Sequence, residues 1–162
     1  MTFYAISIPS PVGSLTLFAH EQALTVIEWG RAPAAPSSRL LTEAATQLNA
    51  YFDGRLQHFD LPLDPHGTPY QQSVWHEMTL IPAGQVCTYG DLSNNLNSSP
   101  RAVGRACGAN PIPIIIPCHR VLGANGKLTG YSGGAGVETK SRLLLLEGYL
   151  QPTEDLFGKT AP

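Results

Sequence analysis

The sequence predicts an α/β (α+β) fold in two parts. A small N-terminal antiparallel sheet with one helix comes first. A mostly helical, winged-helix-like helix-turn-helix part follows. Three observations predict this. Three strand-like apolar runs fall within the first 29 residues, separated by short turn signals. A helix-capping signature at Thr68 opens the second half. Two short helical stretches joined by a polar turn come next. The expected parts are 1–65, 69–150 and a loose tail, 151–162.

The elements follow in order. "TFYAISI", "SLTLFAH" and "LTVIEW" are the three strands, parted by Pro9–Gly13 and Glu21–Ala23. "RAPAAPSS" is a connector. Leu41, Ala44, Ala45, Leu48, Tyr51 and Phe52 recur at helical spacing, which predicts a helix over Ser38–Asp53 closed by Gly54. "DPHGT" is the expected boundary. Thr68 as N-cap, Pro69 at the first helical position and Gln71 as its reciprocal partner start the next helix, whose stripe is Tyr70, Val74, Trp75, Met78 and Ile81. Thr88 with Asp91 predicts a short helix over Tyr89–Leu96, and Ser99-Pro100 another over Arg101–Ala109. "VLGANGKLTG" reads as a hairpin about a type I′ Asn125-Gly126 turn. "YSGG" is a bare loop that suits a flat ligand. A last helix is expected over Val137–Leu150.

Composition narrows the function. No stretch is apolar for long enough to span a bilayer, and the start lacks a signal-peptide pattern, so a cytoplasmic protein without a membrane partner is expected. Cys87, Cys107 and Cys118 form neither a disulfide framework nor a metal-type spacing. Charge is uneven. Residues 1–83 hold three arginines against seven carboxylates, whereas residues 84–142 hold six basic side chains against two carboxylates. A polyanion would be drawn to the second half.

The predicted helix "PRAVGRACGA" is made of small residues apart from Val103, Arg101 and Arg105. Each glycine there weakens it by about 1 kcal/mol against alanine. Two readings stand: close packing on a neighbouring helix, or close approach of something bulky. "PIPIIIPCHRVLG" raises a second question. Its prolines forbid a regular helix, and its isoleucines should anchor it in the core. A rigid apolar approach that ends in Cys118, His119 and Arg120 suits a positioned nucleophile. Cys87 and Cys107 read as inert buried thiols. Adjacent side chains on an extended segment diverge, so His119 reaches Cys118 only if the chain turns or a water intervenes. Glu147 is the best candidate for a third member, with a surface carboxylate as the plainer reading.

"IPCHRV", preceded by "ANP" and followed by "GYSGG", resembles the active-site signature of the O6-alkylguanine-DNA alkyltransferases, in register over about 69–150. The resemblance implies irreversible, single-turnover transfer of the alkyl group of O6-alkylguanine in double-stranded DNA to Cys118, with O4-alkylthymine left open. No cofactor and no metal are implied. His119, oriented by Glu147, would deprotonate the thiol through a water, Asn110 would brace the loop, and Tyr89 would donate to the leaving guanine. Arg101, or Arg105 as the alternative, would fill the gap left by the flipped base. Ala102 and Gly104 would lie in the minor groove, with Tyr89 and Arg120 also on the DNA side. Tyr131, Ser132 and Gly133 would line the base pocket. A monomer in solution that clusters on DNA is the expected assembly. The chain departs from the family pattern in being about two residues shorter between Tyr89 and Arg101. It also lacks the family's usual Trp, and the His before Glu147. Rival readings are an alkyltransferase-like lesion binder, a helix-turn-helix regulator with a structural or redox-sensing cysteine, and a Cys-His hydrolase.

Overall fold

In the computed structural model, which describes residues 2–149, strands β1 (Tyr4–Ile8), β2 (Leu15–Ala19) and β3 (Leu24–Trp29) form an antiparallel sheet in that order. Alternation along β2 puts Leu15, Leu17 and Ala19 on one face, and all three are fully buried. The register pairs Leu15 with Trp29 and Leu17 with Ile27. Helix α1 (Arg39–Phe52) packs on the sheet and buries Leu41, Ala44, Leu48 and Tyr51. Burying a leucine of this kind stabilises by about 1.5–3 kcal/mol. The Ser38 hydroxyl caps the helix by accepting from the Leu41 N–H, and Gly54 at φ +77° turns the chain away.

Helix α2 (Pro69–Thr79) carries the expected capping box: Thr68 accepts from the Gln71 N–H, and Gln71 accepts from the Thr68 N–H. Its Trp75 donates to the Ala106 carbonyl at 2.8 Å. That bond ties it to the helix-turn-helix pair α3 (Tyr89–Asn95) and α4 (Pro100–Gly108). The turn between the pair is short because Asn97 takes the left-handed conformation (φ +51°) and Ser98 bonds the Tyr70 hydroxyl at 2.6 Å. Helix α5 spans Val137–Leu146. It stops before the expected Leu150 because Glu147 caps it and Gly148 (φ +85°) reverses the chain. Leu150 and the expected tail over 151–162 lie outside the described residues. No described helix is long and apolar enough to cross a membrane.

Of the expected hairpin over Val121–Gly130 only the tip forms, closed by the Gly123 N–H to the Lys127 carbonyl at 2.8 Å, with no strand ladder beyond it. Asn125 (φ 60°) and Gly126 (φ 76°) do make the left-handed turn. Further from the turn, the arms have partners elsewhere. Val121–Leu122 is strand β5, buried and paired in parallel with β4 (Cys87–Thr88). The carbonyls of the returning arm, at Thr129 and Gly130, accept from the ammonium of Lys140.

The two parts share one apolar core. The Ile27 N–H of β3 donates to the Pro111 carbonyl at 2.9 Å, so the sheet edge holds the start of the Pro/Ile segment. The ring of Trp29 sits where a side chain on Gly133 or Gly134 would have to be. The flat group against which the bare loop lies is therefore this indole.

Candidate active site

The chain turns at the thiol. Pro117 (φ −84°, ψ 66°) centres an inverse γ-turn closed by the Cys118 N–H to the Ile116 carbonyl at 2.8 Å, and a 3₁₀ turn over Cys118–Arg120 follows. Upstream, Ile114 is buried at φ +75°, a conformation that costs a β-branched residue about 1–3 kcal/mol. Asn110 holds this loop closed. Its amide donates to the Ile116 carbonyl at 2.8 Å, and its oxygen accepts from the Ile112 N–H at 3.0 Å.

Cys118 is 8% exposed and lies at the junction of two cavities. One, of 360 Å³, is lined by Tyr89, Gly104, Cys107, Tyr131 and Ser132. The other, of 490 Å³, reaches the β3 edge at Glu28 and Trp29 and includes Asn110 and Gly133. Burial pushes the Cys118 thiol up, against the pull of the Asn110 hydrogen bond and the Lys140 charge, so it rests protonated. Tyr131 is pushed well above the usual phenol range by burial and then by the neighbouring Cys118. Tyr89 is pushed up to about 12 by burial, with Cys107 and Cys118 adding to it.

His119 is fully buried, and its Nε2 lies 2.7 Å from Glu147 Oε2. Burial lowers its proton affinity, partly offset by the Glu147 hydrogen bond. Glu147 also accepts from the Tyr51 hydroxyl and from Arg120 through both Nε and Nη2, each at 2.8 Å. Burial alone would raise this carboxyl, but the bonds from His119 and Arg120 outweigh it and hold it at about 2. An ionised carboxylate only accepts, so it fixes the Nε2–H tautomer of His119 and leaves the lone pair on Nδ1. That Nδ1 is buried with no hydrogen-bond partner among the described residues.

The structure thus brings Cys118, Tyr89, Tyr131 and Ser132 around one cavity, places Asn110 on the adjoining one, and holds His119 on Glu147. Glu147 is no surface carboxylate, its side chain being 1% exposed. On α4, Arg101 and Arg105 are exposed, Ala102 is half-buried, and a side chain added at Gly104 or Gly108 would meet open space. Close packing within the chain therefore does not explain these glycines. Arg120 is corrected. It is buried, its Nε and Nη2 are held by Glu147 and its Nη1 by the Ile81 carbonyl, so it presents no charge to DNA. Cys107 is a buried core thiol, as expected, set 3.5 Å from the Met78 sulfur and pushed up to about 12 by burial, and it also lines both cavities beside Cys118.

The contacts of Tyr51 with Glu147 and of Lys140 with the 129–130 carbonyls are not foreseen from the sequence. A signal existed for Lys140. It stands three and four residues before Leu143 and Leu144, so helical spacing puts it on the buried face, as it does Glu147. Among the described residues no group of three or more His, Cys, Asp or Glu is arranged to hold a metal ion.

Comparison with known proteins gives a single direction. Residues 3–65 match the family described as 6-O-methylguanine DNA methyltransferase, ribonuclease-like domain, and residues 69–149 match its DNA binding domain. The methylated-DNA–protein-cysteine methyltransferase of Mycobacterium tuberculosis is 44% identical over 157 residues, covering 91% of this chain and 94% of that protein. That of Methanosarcina acetivorans is 44% identical, covering 90% and 98%. The crystal structure of Mycobacterium tuberculosis OGT in complex with DNA superposes with a TM-score of 0.80 at 46% identity, covering 88% and 91%.

Proposed function

Because the chain belongs to the 6-O-methylguanine DNA methyltransferase family, we propose that Cys118 is its acceptor thiol and that the residues around it carry the transfer. The activity is that of a methylated-DNA–protein-cysteine methyltransferase: direct DNA repair by moving an alkyl group onto a cysteine. The observation that carries the residue assignment is the buried Nδ1 of a neutral histidine, without a partner among the described residues, on the residue that follows a buried, protonated thiol in the chain.

Double-stranded DNA is the partner, and α4 is the element that meets it. Gly104 and Gly108 leave the helix surface free of bulk, while Arg101 and Arg105 stand exposed to meet phosphates or fill the space of an extruded base. The extruded O6-alkylguanine enters the 360 Å³ cavity between Tyr89 and the Tyr131-Ser132 wall. The thiol proton passes through a water to His119 Nδ1, and Glu147 stabilises the imidazolium that forms. The sulfur pair then forms the S–C bond as the C–O6 bond breaks, and the departing pair stays on guanine. Tyr89, protonated at neutral pH, donates a hydrogen bond to that leaving base, which ends by taking up the proton released from the thiol. The thioether has no acyl or phosphoryl centre for water to attack, so each molecule reacts once. The protein is a monomer in solution and clusters on DNA.

The test is intact mass before and after incubation with a duplex containing O6-methylguanine. The expected result is a gain of one methylene that saturates at one per molecule, maps to Cys118 and vanishes in Cys118→Ala. Binding with no mass gain would replace this reading with a lesion binder or a regulator.

A further inference from the structure

Among the described residues Lys140 is the largest charged side chain to be fully buried, and the transfer described above makes no use of it. It sits on α5, one helical face with Leu143, Leu144 and Glu147. Among the described residues no carboxylate pairs with it, since Glu147 is taken up by Arg120 and His119. Its ammonium donates to the carbonyls of Thr129 at 2.8 Å and Gly130 at 3.2 Å, and lies 5.6 Å from the centre of the Tyr89 ring. Gly130, Tyr89 and Cys118 all line the 360 Å³ cavity.

Burying a cation without a counter-charge is costly, and such a group normally has a reason to be there. Three neutral acceptors hold this one against the wall of the thiol cavity. Around the thiol, the other buried titratable groups are His119, Cys107, Tyr89 and Tyr131, all neutral at rest, while Glu28, on the 490 Å³ cavity, is exposed to solvent. Arg120 and Glu147 cancel each other. The buried cluster is therefore one positive charge in excess while Cys118 is a thiol, and balanced once it is a thiolate.

Resting on the assignment of Cys118 as acceptor, we infer that Lys140 is a positioning residue that fixes Tyr89 and the 129–130 carbonyls at the cavity wall and supplies the buried positive charge that the Cys118 thiolate balances. The coupling is mutual. Lys140 pulls the thiol towards ionisation, and the thiolate supports the ammonium against the burial that lowers its proton affinity. Alkylation of Cys118 removes the negative partner for good.

The experiment reads Cys118 itself. Iodoacetamide labelling of the full chain is followed against pH by peptide mapping in wild type, Lys140→Met and Lys140→Arg, with Cys87→Ser in all three. The Met variant should move the Cys118 midpoint up by about one pH unit, an approximately tenfold loss of reactivity at neutral pH, while Arg keeps most of it. An unchanged midpoint in folded Lys140→Met overturns the inference. Should the Met variant not fold, wild type decides. The ¹⁵Nζ titration of Lys140 should fall to lower pH after Cys118 is methylated by O6-methylguanine duplex, and an unmoved titration overturns the inference. Methyl transfer that survives Cys118→Ala would instead sink the assignment of the acceptor, so the two failures are distinguishable.

Discussion

Arg120 illustrates how burial decides the task of a side chain. An arginine beside a nucleophile in a DNA-repair protein invites a phosphate contact, yet this one spends its fork on Glu147 and its remaining arm on the Ile81 carbonyl. Its role is to keep Glu147 ionised, and so to keep His119 in one tautomer. Arg120→Met should therefore destabilise the fold by about 3 kcal/mol or more, because it strands a buried carboxylate. The salt dependence of duplex binding should stay as in wild type, since no phosphate contact is lost. Urea denaturation and binding isotherms at several salt concentrations check the two halves. A shallower salt slope with unchanged stability would restore Arg120 to the DNA surface.

At the scale of elements, α4 holds a trade between stability and access. Alanine at Gly104 would meet no atom within 4 Å and would favour the helix by about 1 kcal/mol. Gly104→Ala should raise the melting temperature and weaken duplex binding; a variant both tighter on DNA and more stable would contradict α4 as the binding element. Arg101→Ala should slow repair of duplex far more than reaction with free O6-alkylguanine base, and equal loss on both would rule out gap filling. The sequence displayed these helices well because their signals are local: Thr68 with Gln71, Thr88 with Asp91, and Ser99 with Pro100 each act over three residues or fewer. It was misleading at Asn125-Gly126, where the turn residues adopt their preferred conformation while distant partners, β4 and Lys140, take the arms. The active-site loop was legible in its residue types, since Pro117 and Asn110 do the bending and bracing. Tyr51 and Arg120 were illegible in their roles because each meets Glu147 only through tertiary packing, 96 and 27 residues away in the chain.

For the whole molecule, acid acts through the same cluster. His119 has its proton affinity lowered from 6.5 by folding, and Glu147 is lowered from 4.5 to about 2. The unfolded chain therefore takes up protons that the folded chain refuses, and stability falls as pH drops. The fall should begin near pH 6.5 with His119 and continue from 4.5 towards 2 with Glu147, whose share is on the order of 3 kcal/mol. Urea midpoints between about pH 8 and pH 3 would show it, and Glu147→Gln should remove the lower limb. A midpoint flat over that range would contradict the buried assignment of both groups. The bond from Tyr51 to Glu147 has a further consequence, because it makes α1 part of the carboxylate site. Cut in the 64–67 connector and made as two polypeptides, the protein should be inert as separate halves and regain alkyl transfer when fused partners bring them together. The resulting thioether would be a permanent record of that encounter.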